Sequence, residues 1–214
     1  MRRNRSLIGH RVALVAQVAL VALAALALFS GVSASHAAEV EGVRIDEQVT
    51  APGGPLVLNG AGVRTKLAFI KLYVGALYLP AKKTDADEII KDAGAKRVAM
   101  HVLVDELPAK DLTASLNNAI AANHIPAEIA LIESRLRDLN RIMNAVGMLK
   151  KGNTVLLDYV PGVGTRISIN GEEKIVIKGE DFFKAMLRIW LGKTPVDGTL
   201  RRAMLGDTGG FRLF

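Results

Sequence analysis

Residues 153–177 read NTVLLDYVPGVGTRISINGEEKIVI. The runs NTVLLDYV, TRISI and EKIVI are rich in β-branched residues and bounded by glycine or Asn-Gly, the pattern of three short strands. Asn170–Gly171 is the strongest hairpin signal in the chain, because both residues accept the positive φ that a tight two-residue turn demands. Three strands joined by short turns predict an antiparallel sheet.

Working outward, GEDFFKAMLRIWLG (179–192) has the spacing of a helix with Phe182, Phe183, Met186, Leu187 and Trp190 turned inward. A shorter helix, PVDGTLRRAMLG, follows Pro195. Upstream, AKDLTASLNNAIAANH (109–124) places Leu112, Leu116 and Ile120 four apart on one stripe. PAEIALIESRLRDLNRIMNAVG (126–147) repeats Ile129, Ile132, Leu136, Leu139, Met143 and Val146 at threes and fours, with Glu133, Arg137 and Arg141 on the opposite side. Pro126 opens that helix and Gly147 closes it. KRVAMHVLVDEL (96–107) alternates, with Val98, Met100, Val102 and Val104 on one face and His101 on the other. TDADEIIKDAG (84–94) is a short helix capped by Thr84 and closed by Gly94. VEGVRIDEQV (40–49) is a half-buried strand, and LVLNG begins another. The glycines at 60 and 62 read as a turn, after which VRTKLAFIKLYVGALYLP (63–80) reads as one long strand, bent at Gly75 and ended by Pro80. Strands, helices, strands, helices in that order predict an α+β fold, an antiparallel sheet with a layer of helices on one face.

The amino-terminal residues belong to a different category. MRRNRSLIGHR carries four arginines and no acid, VALVAQVALVALAALALF (12–29) is apolar but for Gln17, and SGVSASHAAEV is small and polar. That is the order of a secretory signal peptide, with Ser35 and Ala37 suited to the positions before a cut. The expectation is a signal peptide over residues 1–37, one domain over 38–206 and a loose carboxy-terminal tail over 207–214. Export to the periplasm follows, the alternative being an inner-membrane anchor formed by the uncleaved apolar run. Loss of residues 1–37 lowers the formal charge from +7 to +3, so most of the basicity is export signal and no nucleic-acid partner is expected. Cysteine is absent, which excludes disulfides, thiolate metal sites and a lipid-modified cysteine.

Little familiar chemistry remains. His101 and His124 are alone on separate elements, so no metal is expected. No Gly-x-Ser-x-Gly occurs, and GAGVRT lacks the third glycine of a dinucleotide fingerprint. Arg64 stands out as a permanent cation at the entrance of an apolar segment. It reads either as a surface arginine at a strand end or as an anion receptor at the head of an apolar cleft, its planar fork matched to a carboxylate.

LNGAGVRTKLAFIKLYVGALYLP, GNTVLLDYVPGVGTRISING and IKGEDFFKAMLRIWLGKTPVDGTLRRAMLG together resemble the bacterial chalcone isomerase-like proteins, over about Val40 to Gly206. The resemblance implies an open-faced β-sandwich with a ligand cleft between a large antiparallel sheet and its helices. It implies that Arg64 orients an oxyanion, as in ring-closing isomerases, or holds a carboxylate, as in fatty-acid-binding relatives. The family's catalytic tyrosine falls near Leu112, its asparagine near Ala119 (with Asn117 and Asn118 close by) and its threonine near Leu72 or Tyr73. Arg64 alone is kept from that constellation.

The reading that follows is a non-catalytic binder of a fatty acid or similar amphipathic carboxylate, without cofactor. Arg64 is its anion receptor, Tyr73 and Tyr159 share the head group, and Phe69, Leu112, Leu116 and Trp190 form the walls. One alternative is an isomerase, an intramolecular lyase closing a ring on a chalcone-like enone with Arg64 stabilising the oxyanion. Another is a structural or partner-binding envelope protein whose sheet and helices enclose no cavity.

Overall fold

The protein is described here from a computed structural model covering residues 37–67 and 69–207; the predicted signal segment through residue 36 and the tail from residue 208 lie outside the described residues. The chain begins with a small hairpin, β1 (Ala37–Val40) and β2 (Val43–Asp46). The main sheet is built from β3 (Gln48–Ala51), β4 (Gly54–Lys66), β5 (Ile70–Leu79) and β6 (Lys96–Val102). After the short pair β7 (Glu106–Pro108) and β8 (Met148–Lys150), β9 (Thr154–Val160), β10 (Gly164–Ile169) and β11 (Glu172–Ile177) complete it. Its strand order is β11-β10-β9-β6-β5-β4-β3, with every neighbouring pair antiparallel. The helices are α1 (Ala86–Lys91), α2 (Ala109–Asn123), α3 (Pro126–Val146), α4 (Glu180–Leu191) and α5 (Gly198–Met204). The α+β class and the antiparallel sheet expected from the sequence are both present.

Strand alternation divides the buried residues into two cores. Tyr73, Leu77 and Leu79 of β5, with Val98, Met100 and Val102 of β6, face the helices and meet Phe182, Met186 and Trp190 of α4. Val74, Ala76 and Tyr78, with Ala99, face the other way and are covered by Ala38 and Ile45 of the β1–β2 hairpin. On that second face Arg97 and Asp158 are cross-strand partners joined by two hydrogen bonds of 2.6 and 2.9 Å. The described residues thus form one unit with its own core on each face of the sheet. Among the described residues no helix is long and apolar enough to cross a membrane.

Asn170 and Gly171, with φ of 52° and 82°, make the β10–β11 turn that their identity predicts. Glu133 and Arg137 form an ion pair of 2.9 Å along α3, and Arg141 pairs with Asp138, three residues before it, at 2.8 Å. Asp85, not Thr84, caps α1, its carboxylate accepting the Glu88 N–H at 2.7 Å.

The larger correction concerns residues 60–80. Gly60 and Gly62 are not in a turn but inside β4, and the chain reverses at residues 67–69, so 63–80 is a hairpin rather than one strand. Gly60 and Gly62, with Gly75 opposite Gly62, face α5. A β-carbon on Gly60 would collide with the Ala203 carbonyl oxygen, and one on Gly62 would lie 2.6 Å from the Ala203 methyl. These glycines let a helix lie directly on the sheet, as glycine in a strand does where another backbone approaches.

Gly60→Ala should therefore lower stability by about 1–3 kcal/mol, the usual cost of overpacking. Gly198→Ala, whose added methyl meets open space at the start of α5, should leave stability unchanged or raise it. Urea denaturation of the two variants checks the contrast.

Candidate binding site

The inner face of β4 ends at Arg64, and its cross-strand partner on β5 is Tyr73. One step further the register jumps to Thr65 opposite Lys71, leaving Leu72 as a bulge. Leu72 and Tyr73 are adjacent in sequence yet both pack on the helix side. Bulges of this kind re-aim side chains beside functional sites. Asp197 holds the end of the strand from the other side. Its Oδ2 accepts the Thr65 N–H at 3.0 Å, while Oδ1 accepts the N–H groups of Thr199 and Leu200 and caps α5. One carboxylate thus ties the helix that rests on the glycines to the strand that carries Arg64.

Arg64 is partly buried. Its Nη2 donates to Ser115 Oγ of α2 at 3.1 Å, and its buried Nε has no acceptor among the described residues. Beside it, the buried Tyr73 phenol accepts a hydrogen bond of 3.0 Å from Trp190 Nε1, and no acceptor among the described residues takes its own proton. Burial pushes the Tyr73 hydroxyl above its ordinary pKa, with the Arg64 cation pulling the other way. These groups open onto a cavity of about 40 Å³ between sheet and helices, walled by Leu112 and Leu116 of α2, Met143 of α3, Met186 and Ile189 of α4 and Met100 of β6. Arg64 is the one charged side chain among the described lining residues.

Of the residues singled out from sequence, Arg64, Tyr73, Leu112, Leu116 and Trp190 come together at this cavity. Tyr159 and Phe69 do not. Tyr159 is buried on the same face but stacks on Phe183, with ring centroids 5.2 Å apart and Lys96 above it. It pairs with Lys96, whereas Tyr73 pairs with Val102, six residues along β6 and on the order of 20 Å away. Phe69 lies in the β4–β5 turn, 75% exposed. It leaves the wall because the strand reverses there. Leu112, near which the resemblance puts the family's tyrosine, is an apolar wall residue. Asn117 reaches across to Asn140 at 3.4 Å, and Ala119 is buried. Sequence reasoning missed Ser115 and Thr113, as well as the three methionines. Ser115 was accessible to it, lying three residues after Leu112 and beside Leu116 on the same helical stripe. Among the described residues no cluster of three metal-ligating side chains occurs.

The chalcone isomerase-like family model matches residues 37–206, and the protein belongs to that family. A search of curated proteins finds no match. Among solved structures the fold is similar to the crystal structure of a fatty-acid binding protein of Arabidopsis thaliana, AtFAP1. The TM-score is 0.62 at 16% identity, covering 78% of this chain and 95% of that one. At that identity the likeness is one of fold.

All three tyrosines of the chain have phenols held above their ordinary value, chiefly by burial, and Tyr78 is pushed up to about 12. A raised folded-state value contributes stability that is fully present below pH 10 and lost as the pH rises through the folded value. Tyrosinate absorbance should therefore lag behind that of free tyrosine above pH 10 and appear together with loss of circular dichroism. A titration matching free tyrosine while the fold persists would contradict it.

Proposed function

We propose that this protein is a non-catalytic binder of a fatty acid or similar amphipathic carboxylate, with Arg64 as the anion receptor. The observation that carries the reading is a partly buried guanidinium, its Nε without a partner among the described residues, at the edge of an otherwise largely apolar cavity. A buried donor left unpaired is costly, and a carboxylate would satisfy Nε and a terminal nitrogen together in the bidentate geometry that arginine favours. The Tyr73 proton is available for the same oxygen pair. The likeness in fold to a fatty-acid binding protein supports the same class of ligand.

The cavity's free space of about 40 Å³ is far below the roughly 300–1,000 Å³ of typical ligand pockets. An acyl chain therefore enters only as the lining side chains move. Met100, Met143 and Met186 are the unbranched residues best able to repack. The isomerase reading needs a polar group to place the nucleophile, and the wall offers Leu112 where the family's tyrosine is expected. The binder is favoured on that ground.

Calorimetry with a long-chain fatty acid tests the proposal. Arg64→Ala should weaken binding about ten- to a hundredfold, the worth of a charge-assisted contact at roughly 1.5–3 kcal/mol. Affinity unchanged in that variant would sink the role of Arg64, and chalcone turnover that disappears in it would establish the isomerase instead.

The signal segment extends the proposal to location. The protein acts in the periplasm after cleavage before Ala38 or Glu39. Osmotic shock should release a chain with that amino terminus. Recovery from the membrane pellet of a chain starting at Met1 would show an anchor instead.

A further inference from the structure

The β4–β5 turn is built unlike the β10–β11 hairpin of the same sheet. The β10–β11 turn meets its need for positive φ with Asn170 and Gly171. The β4–β5 turn places Leu67 at φ 54°, a conformation in which a bulky side chain crowds its own backbone. The same leucine is 68% exposed and Phe69 is 75% exposed. Single exposed apolar residues are ordinary, but this turn holds two, one of them in a strained conformation. Asparagine or glycine would relieve both costs.

Two lysines flank the tip. Lys66 is exposed and forms no ion pair among the described residues. Lys71 is half exposed and reaches Glu41 of the β1–β2 turn at 2.7 Å. Asp197, on the helix side, is engaged by three backbone N–H groups, that of Thr65 among them. Arg64 lies three residues before Leu67, at most about 10 Å along the strand.

We infer that this hairpin tip docks on an anionic lipid bilayer, inserting Leu67 and Phe69 with Lys66 and Lys71 at the headgroup level, so that the Arg64 end of the cavity faces the membrane. A protein partner fits less well. Two side chains bury a few hundred Å² at most, against the roughly 800 Å² per partner of a stable interface. A bilayer accepts an isolated apolar tip, and lysines flanking it keep their charge in the headgroup layer. The inference rests on the proposed carboxylate binding only for its purpose, which is to load or unload an amphipathic ligand at the cavity mouth.

The test uses residues 38–214, which contain the whole core, with circular dichroism to check each variant's fold. Vesicles of phosphatidylcholine with and without phosphatidylglycerol are the probe. The unaltered protein should cosediment with the anionic vesicles, and less so as salt rises. Leu67→Asn combined with Phe69→Ser should weaken that binding about tenfold or more, and Lys66→Gln or Lys71→Gln roughly fivefold each on anionic vesicles only. Leu67→Asn alone should bind vesicles less well yet melt about 2 °C higher, because asparagine accepts the positive φ. A leucine placed there for packing would give the opposite change in melting temperature. Affinity for a monomeric fatty acid should persist in the tip variants, and vesicle binding should persist in Arg64→Ala, so failure of one reading is separable from failure of the other. Vesicle binding unchanged in the tip double variant, no vesicle binding by the unaltered protein, or a vesicle-independent dimer abolished by the tip changes would each overturn the inference.

Discussion

A single short helix, α5, lies directly on two neighbouring strands because those strands present hydrogen atoms where side chains would stand. Gly60, Gly62 and Gly75 clear the surface, and Leu200 and Ala203 occupy it. Asp197 then joins the two elements, accepting from the β4 backbone with one oxygen and from the α5 amino terminus with the other. Everything about the cavity edge follows from that contact. It fixes the end of β4, and so the place from which Arg64 reaches over to Ser115. A side chain at Gly60 or Gly62 would push the helix away and unseat the strand end with it, whereas at Gly75 the Leu200 methyls would have to give.

Around that fixed edge the polar groups are few and incompletely paired. Trp190 donates to Tyr73, Arg64 donates once to Ser115, and the buried Nε of Arg64 faces no acceptor among the described residues. Buried polar atoms in folded proteins are nearly always partnered. Buried charges elsewhere are paired: Arg97 has Asp158, and Lys96 donates to Asp92 and to the Gly94 carbonyl, although His124 Nε2 and Thr165 Oγ1 also lack a partner among the described residues. Of these unpartnered atoms, the Arg64 Nε is the one on a residue lining the cavity. The apolar remainder of the wall, with three methionines, is the kind of surface that can rearrange around an aliphatic guest.

What could be read from the chain, and what could not, divides along a physical line. Local patterns were legible wherever one residue type has one use. Asn170–Gly171 made its turn, the three- and four-residue spacing of α3 made its helix, and the alternation of β6 sorted Val98, Met100 and Val102 onto the helix side. Arg64, Tyr73, Leu112, Leu116 and Trp190, singled out because each is conspicuous in type or spacing, line one cavity. Gly60 and Gly62 were misread, since glycine serves turns and close approaches alike, and the helix that explains them lies some 140 residues further along the chain. Tyr159 was expected at the head group on residue type and strand position, and Phe69 at the wall, and neither lines the cavity.

The sequence by itself determined the α+β class, the antiparallel pairing and the helix faces, because periodicity and turn chemistry act over a few neighbouring residues. Only the tertiary structure decided where β4 reverses, which tyrosine stands beside Arg64, and that the guanidinium keeps an unpartnered nitrogen. Those depend on register and on contacts between distant segments: a bulge at Leu72, six residues of offset along β6, and a helix seated on glycines. No local propensity encodes such distances, since they arise only when separate parts of the chain compete for the same buried space.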